Sequence, residues 1–494
     1  MEAHRQRDQH QSRISGRIEE KGDAVGSSQA GIVSGEPVLD AFIAHSQQFR
    51  WDALGSQTRA MVRRELLDYI GSAIAGRTAA GMPPWLKVLA DMGGRPDARI
   101  LGGPMVPAPT AALCNGFFGH VLEFDDTHDE AVLHAGSAAI PAAFAAAGLR
   151  GQVSGREFCE AILLGIELTC RLGVGTRLNL VEGGWIYTAL LGHFGATLAA
   201  ARLIDPHPEI LRNALGIVYC LTGGNHESTR EGKVTKHVQP GFAAANAVTA
   251  ALMASRGLGG VNQPISGEDG LNRVYLHGKF DATRALEGLG SRYEFDRLSF
   301  KPYPTCRLTH PAISAALEMH ALLGADVAKV ERVELVIGPQ AHDVVGRDNP
   351  ERRVPRIPVN AQFSIYWCVA SALAYGEVTP RQLAEQIPPT PELAAGIARI
   401  SCSANPAAAS RDVGGCTLRV HGAFGTKEVT HTNAKGHPDH PLSDAELLAK
   451  FHANLAYASV PASDAEQLAE AIFAIDAMED VRPLADAIAS AAAH

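Results

Sequence analysis

Val330-Glu-Arg-Val-Glu-Leu-Val-Ile337 is rich in β-branched residues and partly alternates polar with apolar, the pattern of a half-buried strand. It stands out because most of the chain around it reads as helix. Downstream, Cys416–His421 and Lys427–Thr432 flank Gly422-Ala-Phe-Gly425 and read as a hairpin. Helices are expected between these strands, at Gln362–Tyr375 and Pro380–Gln386. Residues 296–432 therefore read as a small α+β unit.

Working outward, residues 36–295 read as all-α. Helical periodicity starts near Pro37 and is clear over Thr58–Ile74, where Val62, Leu66, Tyr69, Ile70 and Ala73 share a face. Ser137–Gly148 is an Ala-rich run broken by Pro141, and Ser154-Gly-Arg-Glu157 is a capping box opening a helix to about Leu172. Further helices are expected at Tyr187–Leu203, Pro208–Leu221 and Gly241–Ser255. The density of Ala and Gly implies close helix packing, since small side chains let backbones approach. Beyond the strands, Ser443-Asp-Ala-Glu446 and Ser463-Asp-Ala-Glu466 read as two more capping boxes. Residues 433–494 are too few for a core of their own, so they should rejoin the first helical part. The expected fold is mainly α: a large all-helical domain with an inserted smaller α+β domain.

Composition narrows the function. A chain of 494 residues exceeds what one core usually organises. A net charge of -9 leaves no basic footprint and argues against nucleic acid. The eight cysteines are scattered without a CxxC pair, which reads as reduced, core-packed thiols in a cytoplasmic protein and disfavours zinc or iron–sulfur frameworks. No apolar stretch is long enough to span a membrane. Residues 1–35, polar and without an apolar signal core, read as a disordered tail.

Three clusters carry candidate chemistry. His120-Val-Leu-Glu-Phe-Asp-Asp-Thr-His-Asp-Glu130, ending at His134, packs five carboxylates and three histidines between apolar runs. Such groups are rarely buried without partners, so the segment is a metal site, a proton-transfer site or a solvated helix-capping turn. Glu123, Asp126 and His134 offer metal ligands, but no tight metal-binding pattern is present. The second cluster is Glu231-Gly-Lys-Val-Thr-Lys-His237, which is not a P-loop and on its own would be a solvated basic run. The third, Phe300-Lys-Pro-Tyr-Pro-Thr-Cys-Arg-Leu-Thr-His310-Pro, presents Lys301, Cys306 and Arg307 from a proline-stiffened turn at the domain change, or is merely a polar linker. Nothing around Cys306 marks a cysteine hydrolase.

Taken in order with Lys435-Gly-His-Pro, these clusters resemble the MmgE/PrpD family over about residues 40–470. That family includes 2-methylcitrate dehydratase, cis-aconitate decarboxylase and iminodisuccinate epimerase. The resemblance implies a helical domain with an α+β lid, a homodimer, and work on small polycarboxylates without metal or organic cofactor. It implies proton transfer by His134, an Asp126-Thr127 turn beside it, and two lysines, Lys236 and Lys301, that neutralise substrate carboxylates, Lys301 coming from the lid. Three departures stand out. Glu123 replaces the aspartate of the decarboxylase-like pattern, and Ile186-Tyr187 replaces a His-Pro pair, leaving Tyr187 as the nearest substitute base. His342 falls where the decarboxylase-like lid has tyrosine.

The resemblance implies a cofactor-free lyase acting next to a carboxylate, with dehydration first. Epimerisation using His134 and Tyr187 on opposite faces of a carbon comes second, and decarboxylation third. A non-catalytic homologue and a metal-dependent hydratase are the opposed readings.

Overall fold

The computed structural model describes residues 35–81, 83–408 and 414–491, so nearly all of the expected N-terminal tail lies outside the described residues. The protein is mainly helical. Its centre is formed by α1 (Ser56–Ala80), α2 (Ala108–His120), α3 (Gly136–Arg150), α4 (Gly155–Gly175), α5 (Gly192–Ile204), α6 (Pro208–Tyr219) and α7 (Thr235–Ser255). Helices α3 and α7 pack on each other and each on both α2 and α5, and α1 lies on α2.

Small residues set how close these helices come. A Cβ on Gly116 of α2 would stand 2.7 Å from the Gly241 Cα of α7, and one on Gly165 of α4 would stand 2.6 Å from the Gly195 carbonyl of α5. Any larger side chain at these crossings would push the helices apart.

The α+β layer holds α8 (His310–Leu323), β1 (Val330–Ile337), α9 (Ile365–Tyr375), β2 (Ile400–Ala404), β3 (Cys416–Gly422) and β4 (Gly425–His431). The sheet order is β2-β1-β3-β4, with β2 parallel to β1 and the other pairs antiparallel. The alternation in β1 survives as buried Val333, Leu335 and Ile337. The hairpin closes through Gly422 and Gly425. Strand β2 has only five residues and lacks a clear alternating signature, and it went unread in the sequence. Helix α8 packs on β3, β4 and α9. The chain then returns to helix, and α10 (Asp444–Tyr457) packs on α1, nearly 400 residues earlier in sequence.

The capping boxes at Ser154 and Ser443 are both formed. The one expected at Ser463 is not. Pro461 sets the N-cap, the helix starts at Ala462, and Ser463 falls inside its first turn. The helix expected over Tyr187–Leu203 is two pieces, Tyr187–Leu190 and Gly192–Ile204. Helix α7 begins at Thr235 rather than Gly241, carrying Pro240 within it. That earlier start places Lys236 and His237 in the first turn, aimed at the end of α2.

Candidate active site

The end of α2, the loop 121–135 and the start of α7 converge on the floor of a cavity of about 560 Å³, within the usual size range of small-molecule sites. Glu123, Thr127, His134, Lys236, Cys306 and Arg307 all line it. Asp126 and Lys301 sit directly behind that wall, fully or almost fully buried.

The loop is held from several sides. Thr127 pairs with Ser299 through both backbone groups, its N–H donating to the Ser299 carbonyl at 2.9 Å and its carbonyl accepting at 2.7 Å. This two-bond bridge sets the chain two residues before Lys301. The Asp126 carboxylate accepts from the Ala135 and Gly136 N–H groups at 3.0 Å each, tying the loop to the start of α3. Gly436 supports the opposite side: its φ is +88°, and a Cβ there would lie 1.9 Å from the Phe300 carbonyl. This gives the Lys435-Gly-His-Pro motif a structural reason. His437 from the same turn lines the cavity.

His134 donates from Nδ1 to the Asp126 carbonyl at 2.6 Å, which leaves Nε2 as the lone-pair nitrogen. Burial, followed by the Lys301 charge, holds His134 well below the ordinary histidine range, so the ring is neutral near pH 7. Its neighbour His120 stands edge-on at 4.8 Å between centroids. His120 contacts the Asp125 carboxylate through Nδ1 at 2.7 Å and Lys236 Nζ through Nε2 at 2.7 Å.

Glu123 is the hub of the floor. It accepts from Lys236 Nζ at Oε1, and its own carbonyl accepts from Lys301 Nζ at 2.8 Å. Lys301 Nζ also lies 3.4 Å from Oε2 and 4.0 Å from Asp125. The expectation that both lysines would await substrate carboxylates is modified here, because Glu123 already engages both. Burial, then Lys301, brings Lys236 well below the usual lysine range. Burial also lowers Lys301, against the opposing pull of Asp125.

Two carboxyls behind the floor move the other way. Burial, then the Asp125 charge, pushes Asp126 up to about 8, and Glu65 on α1 rises well above its ordinary range from burial and the Asp126 charge. Neither Glu65 oxygen has a hydrogen-bond partner among the described residues. Space is tight here, as a Cβ on Gly136 would meet Glu65 Oε1 at 2.2 Å and Asp126 Oδ1 at 2.8 Å.

His120, Asp125 and His134 offer ligand atoms within 4.8 Å of one another, a closer set than the Glu123, Asp126 and His134 combination considered from sequence. Their chemistry suits a divalent ion poorly. His120 and Asp125 already bond each other, Lys236 Nζ touches His120, and Lys301 Nζ lies 4.0 Å from Asp125. A metal ion there would face two ammonium groups at close range.

Other expected residues lie apart from this floor. The Tyr187 hydroxyl donates to the Leu178 carbonyl at 2.9 Å and the side chain is buried off the cavity wall; Ile186 and Thr188 line the wall in its place. A base at Tyr187 opposite His134 does not fit that placement. His342 begins a turn of π-helix and is absent from the wall, where Val344 stands. Arg307 lines the cavity but is clamped by Asp129, Nε at 2.9 Å and Nη2 at 2.8 Å. No histidine hydrogen-bonds Cys306 among the described residues, which gives a thiol nucleophile no base. His226, 5% exposed on the wall, carries an Nδ1 without a partner and is brought down to about 4 by burial and then Arg230. His237 lies 3.3 Å from Glu123 Oε1. Neither histidine was read as a site residue. Adjacency to Lys236 could have flagged His237; nothing local marks His226.

The chain is similar to known proteins over most of its length. The MmgE/PrpD N-terminal domain matches residues 41–283 and the MmgE/PrpD C-terminal domain matches residues 303–476. A cis-aconitate decarboxylase of Aspergillus terreus is 27% identical, over 68% of this chain and 71% of that protein. Cis-aconitate decarboxylases of Mus musculus and Homo sapiens are each 25% identical, covering 73% and 79% of this chain and 73% and 82% of theirs. With both family domains matched, together over most of its length, the chain belongs to the MmgE/PrpD family.

Proposed function

We propose that the protein is a cofactor-free lyase that eliminates water from a small hydroxy-polycarboxylate. The observation that carries this reading is His134: its Nδ1–H is fixed on the Asp126 carbonyl at 2.6 Å while a neutral Nε2 is left to the cavity. A neutral imidazole suits removal of a proton from the carbon next to a carboxylate. Lys236, its ammonium acidified by burial and Lys301, suits delivery of a proton to the departing hydroxyl. The C–H and C–O bonds break, a C=C bond forms and water leaves. Imidazolium and neutral amine remain, to be reset by solvent. Charge building on the substrate carboxylate is met by the cationic side of the floor.

Decarboxylation is the second reading, favoured by the names of the relatives. It would need His134 to deliver a proton to carbon as carbon dioxide leaves, and a ring held neutral would first have to take up that proton. The α+β layer as a closing lid, a cytoplasmic location and a homodimer belong to the same proposal. Phe242 and Met253, 50% and 45% exposed and three turns apart on α7, offer an apolar face for a second copy. The eight unpaired cysteines suit a reducing compartment.

The test is incubation with candidate hydroxy acids in D₂O followed by NMR. Alkene signals from the wild type, reduced ~100-fold or more in His134→Ala with folding intact, are expected. A loss of less than ~10-fold would remove His134 from the role. Carbon dioxide release without an alkene-forming dehydration would transfer the assignment to decarboxylation.

A further inference from the structure

The cations that line the cavity or back its floor each have a carboxylate. Lys236 and Lys301 meet Glu123, Arg307 is clamped by Asp129, and Arg297 lies 3.8 Å from Glu294. Arg352 has none. It is 7% exposed, and its guanidinium makes a single hydrogen bond and no ion pair among the described residues. That bond runs from Nη2 to the Val344 carbonyl at 3.1 Å. Burial brings the group down only to about 10, so it is charged at pH 7. A buried charge without a counter-ion is costly, and this guanidinium still has N–H groups to give.

Arg352 stands directly behind the cavity wall. Val344 and Phe363 both line that wall; Arg352 bonds the first, and its Cζ lies 5.6 Å from the ring centroid of the second. His226 lines the same cavity. Its backbone is fixed by donation from its N–H to the Gly184 carbonyl at 2.9 Å. Its Nδ1 is buried without a partner, and an orphaned buried N–H is rarer than an orphaned acceptor. The ring proton therefore belongs on Nε2, which makes His226 a neutral donor. Arg352 is among the charges that keep the ring neutral, after burial and Arg230.

We infer that Arg352 and His226 form a carboxylate subsite, which holds the second carboxylate of a ligand whose first carboxylate lies on the floor beside His134. The inference rests on the reading of the cavity as a polycarboxylate site. Guanidinium N–H groups hold carboxylate oxygens in charge-assisted hydrogen bonds, and His226 Nε2–H adds a neutral one. The ligand thus supplies the counter-ion that the fold withholds from Arg352. A monocarboxylate of equal chain length leaves Arg352 unpaired.

The experiment measures binding of two unreactive probes of equal chain length, succinate and butyrate, to the full chain by calorimetry. Wild type is expected to bind succinate at least ~10-fold more tightly than butyrate, which engages the floor alone. Arg352→Gln removes the charge and keeps a donor for Val344. The preference for succinate should then shrink to ~3-fold or less, through weaker succinate binding. A preference that stays above ~3-fold in the folded variant, or a wild type without one, overturns the subsite and leaves the carboxylate reading standing. Failure of both probes to bind wild type at ~10 mM overturns the carboxylate reading, and the inference with it. Should circular dichroism show Arg352→Gln unfolded, His226→Leu removes the neutral donor and keeps the bulk. A loss of ~3-fold or more for succinate alone supports the subsite; a smaller loss, or an equal one for both probes, overturns it.

Discussion

Residues 120–126 and residues 128–130 are near neighbours that each carry one histidine and at least two carboxylates, yet their charges go to different places. The first group turns inward: His120, Glu123 and Asp125 meet Lys236 and Lys301 in a fully buried network, and Asp126 caps α3. The second pairs with the scaffold around the cavity. His128 contacts Glu294 at 3.3 Å, Asp129 clamps Arg307, and Glu130 pairs with Arg284 at 3.0 Å. The contrast teaches that composition does not mark a site. What matters is which partners the fold supplies: two buried lysines for the first group, and for the second a buried glutamate at His128, an arginine at Asp129 and a partly solvated arginine at Glu130.

Three substitutions sharpen this contrast. Lys301→Ala should have the largest effect, because it leaves Glu123 and Asp125 buried with one fewer cation. A loss of about 3–5 kcal/mol in denaturant unfolding is expected. A loss under about 1 kcal/mol would mean that the inward network carries no more energy than a surface pair.

Glu65→Gln should have a smaller, pH-dependent effect. Burial raises the Glu65 pKa well above the ordinary glutamate range, so the folded chain retains a proton that the unfolded chain releases. The associated stability is complete below the unfolded pKa and is lost as pH rises toward the folded one. The glutamine stays neutral throughout. Its stability relative to wild type should therefore improve between about pH 5 and about pH 8, by about 1 kcal/mol or more, in thermal melts at both pH values. The buried neutral histidines act with the opposite sign. His120, His134 and His237 have lowered pKa values, so their contribution is present above the unfolded pKa and falls away as pH drops below it. A gain for Glu65→Gln that is flat across the range would show that Glu65 is not held protonated in the folded chain.

Glu130→Gln should do least. Its pair with Arg284 is partly solvated, and a change within about 1 kcal/mol is expected in the same unfolding assay. A change as large as that for Lys301→Ala would erase the distinction between the two groups.

Much of this was legible from residue patterns. The helical stretches, β1 and the hairpin follow periodicities of 3.6 and 2, which any window of about ten residues displays. The capping boxes at Ser154 and Ser443 are similarly local. Ser463 misled because the same four-residue pattern sits behind Pro461, which starts the helix earlier. Of the residues expected at the site, His134, Glu123, Thr127, Lys236, Cys306 and Arg307 reach the cavity wall, and Asp126 and Lys301 stand behind it. Tyr187 and His342 do not, because each belongs to a short turn whose facing direction is set by packing rather than by period.

By itself, the sequence determined the mainly helical character with a short run of strands, the close helix crossings through glycine and alanine, and the order of the polar segments along the chain. Those are consequences of local stereochemistry and of which side chains avoid water. Only the tertiary structure decided who pairs with whom. Glu123 finds Lys236 at a separation of 113 residues and Lys301 at 178. That choice depends on distance and dielectric inside the folded core, where an unpartnered charge is not tolerated, and no local pattern encodes it. The acidic segment becomes one buried charge network only because the fold brings two lysines to it.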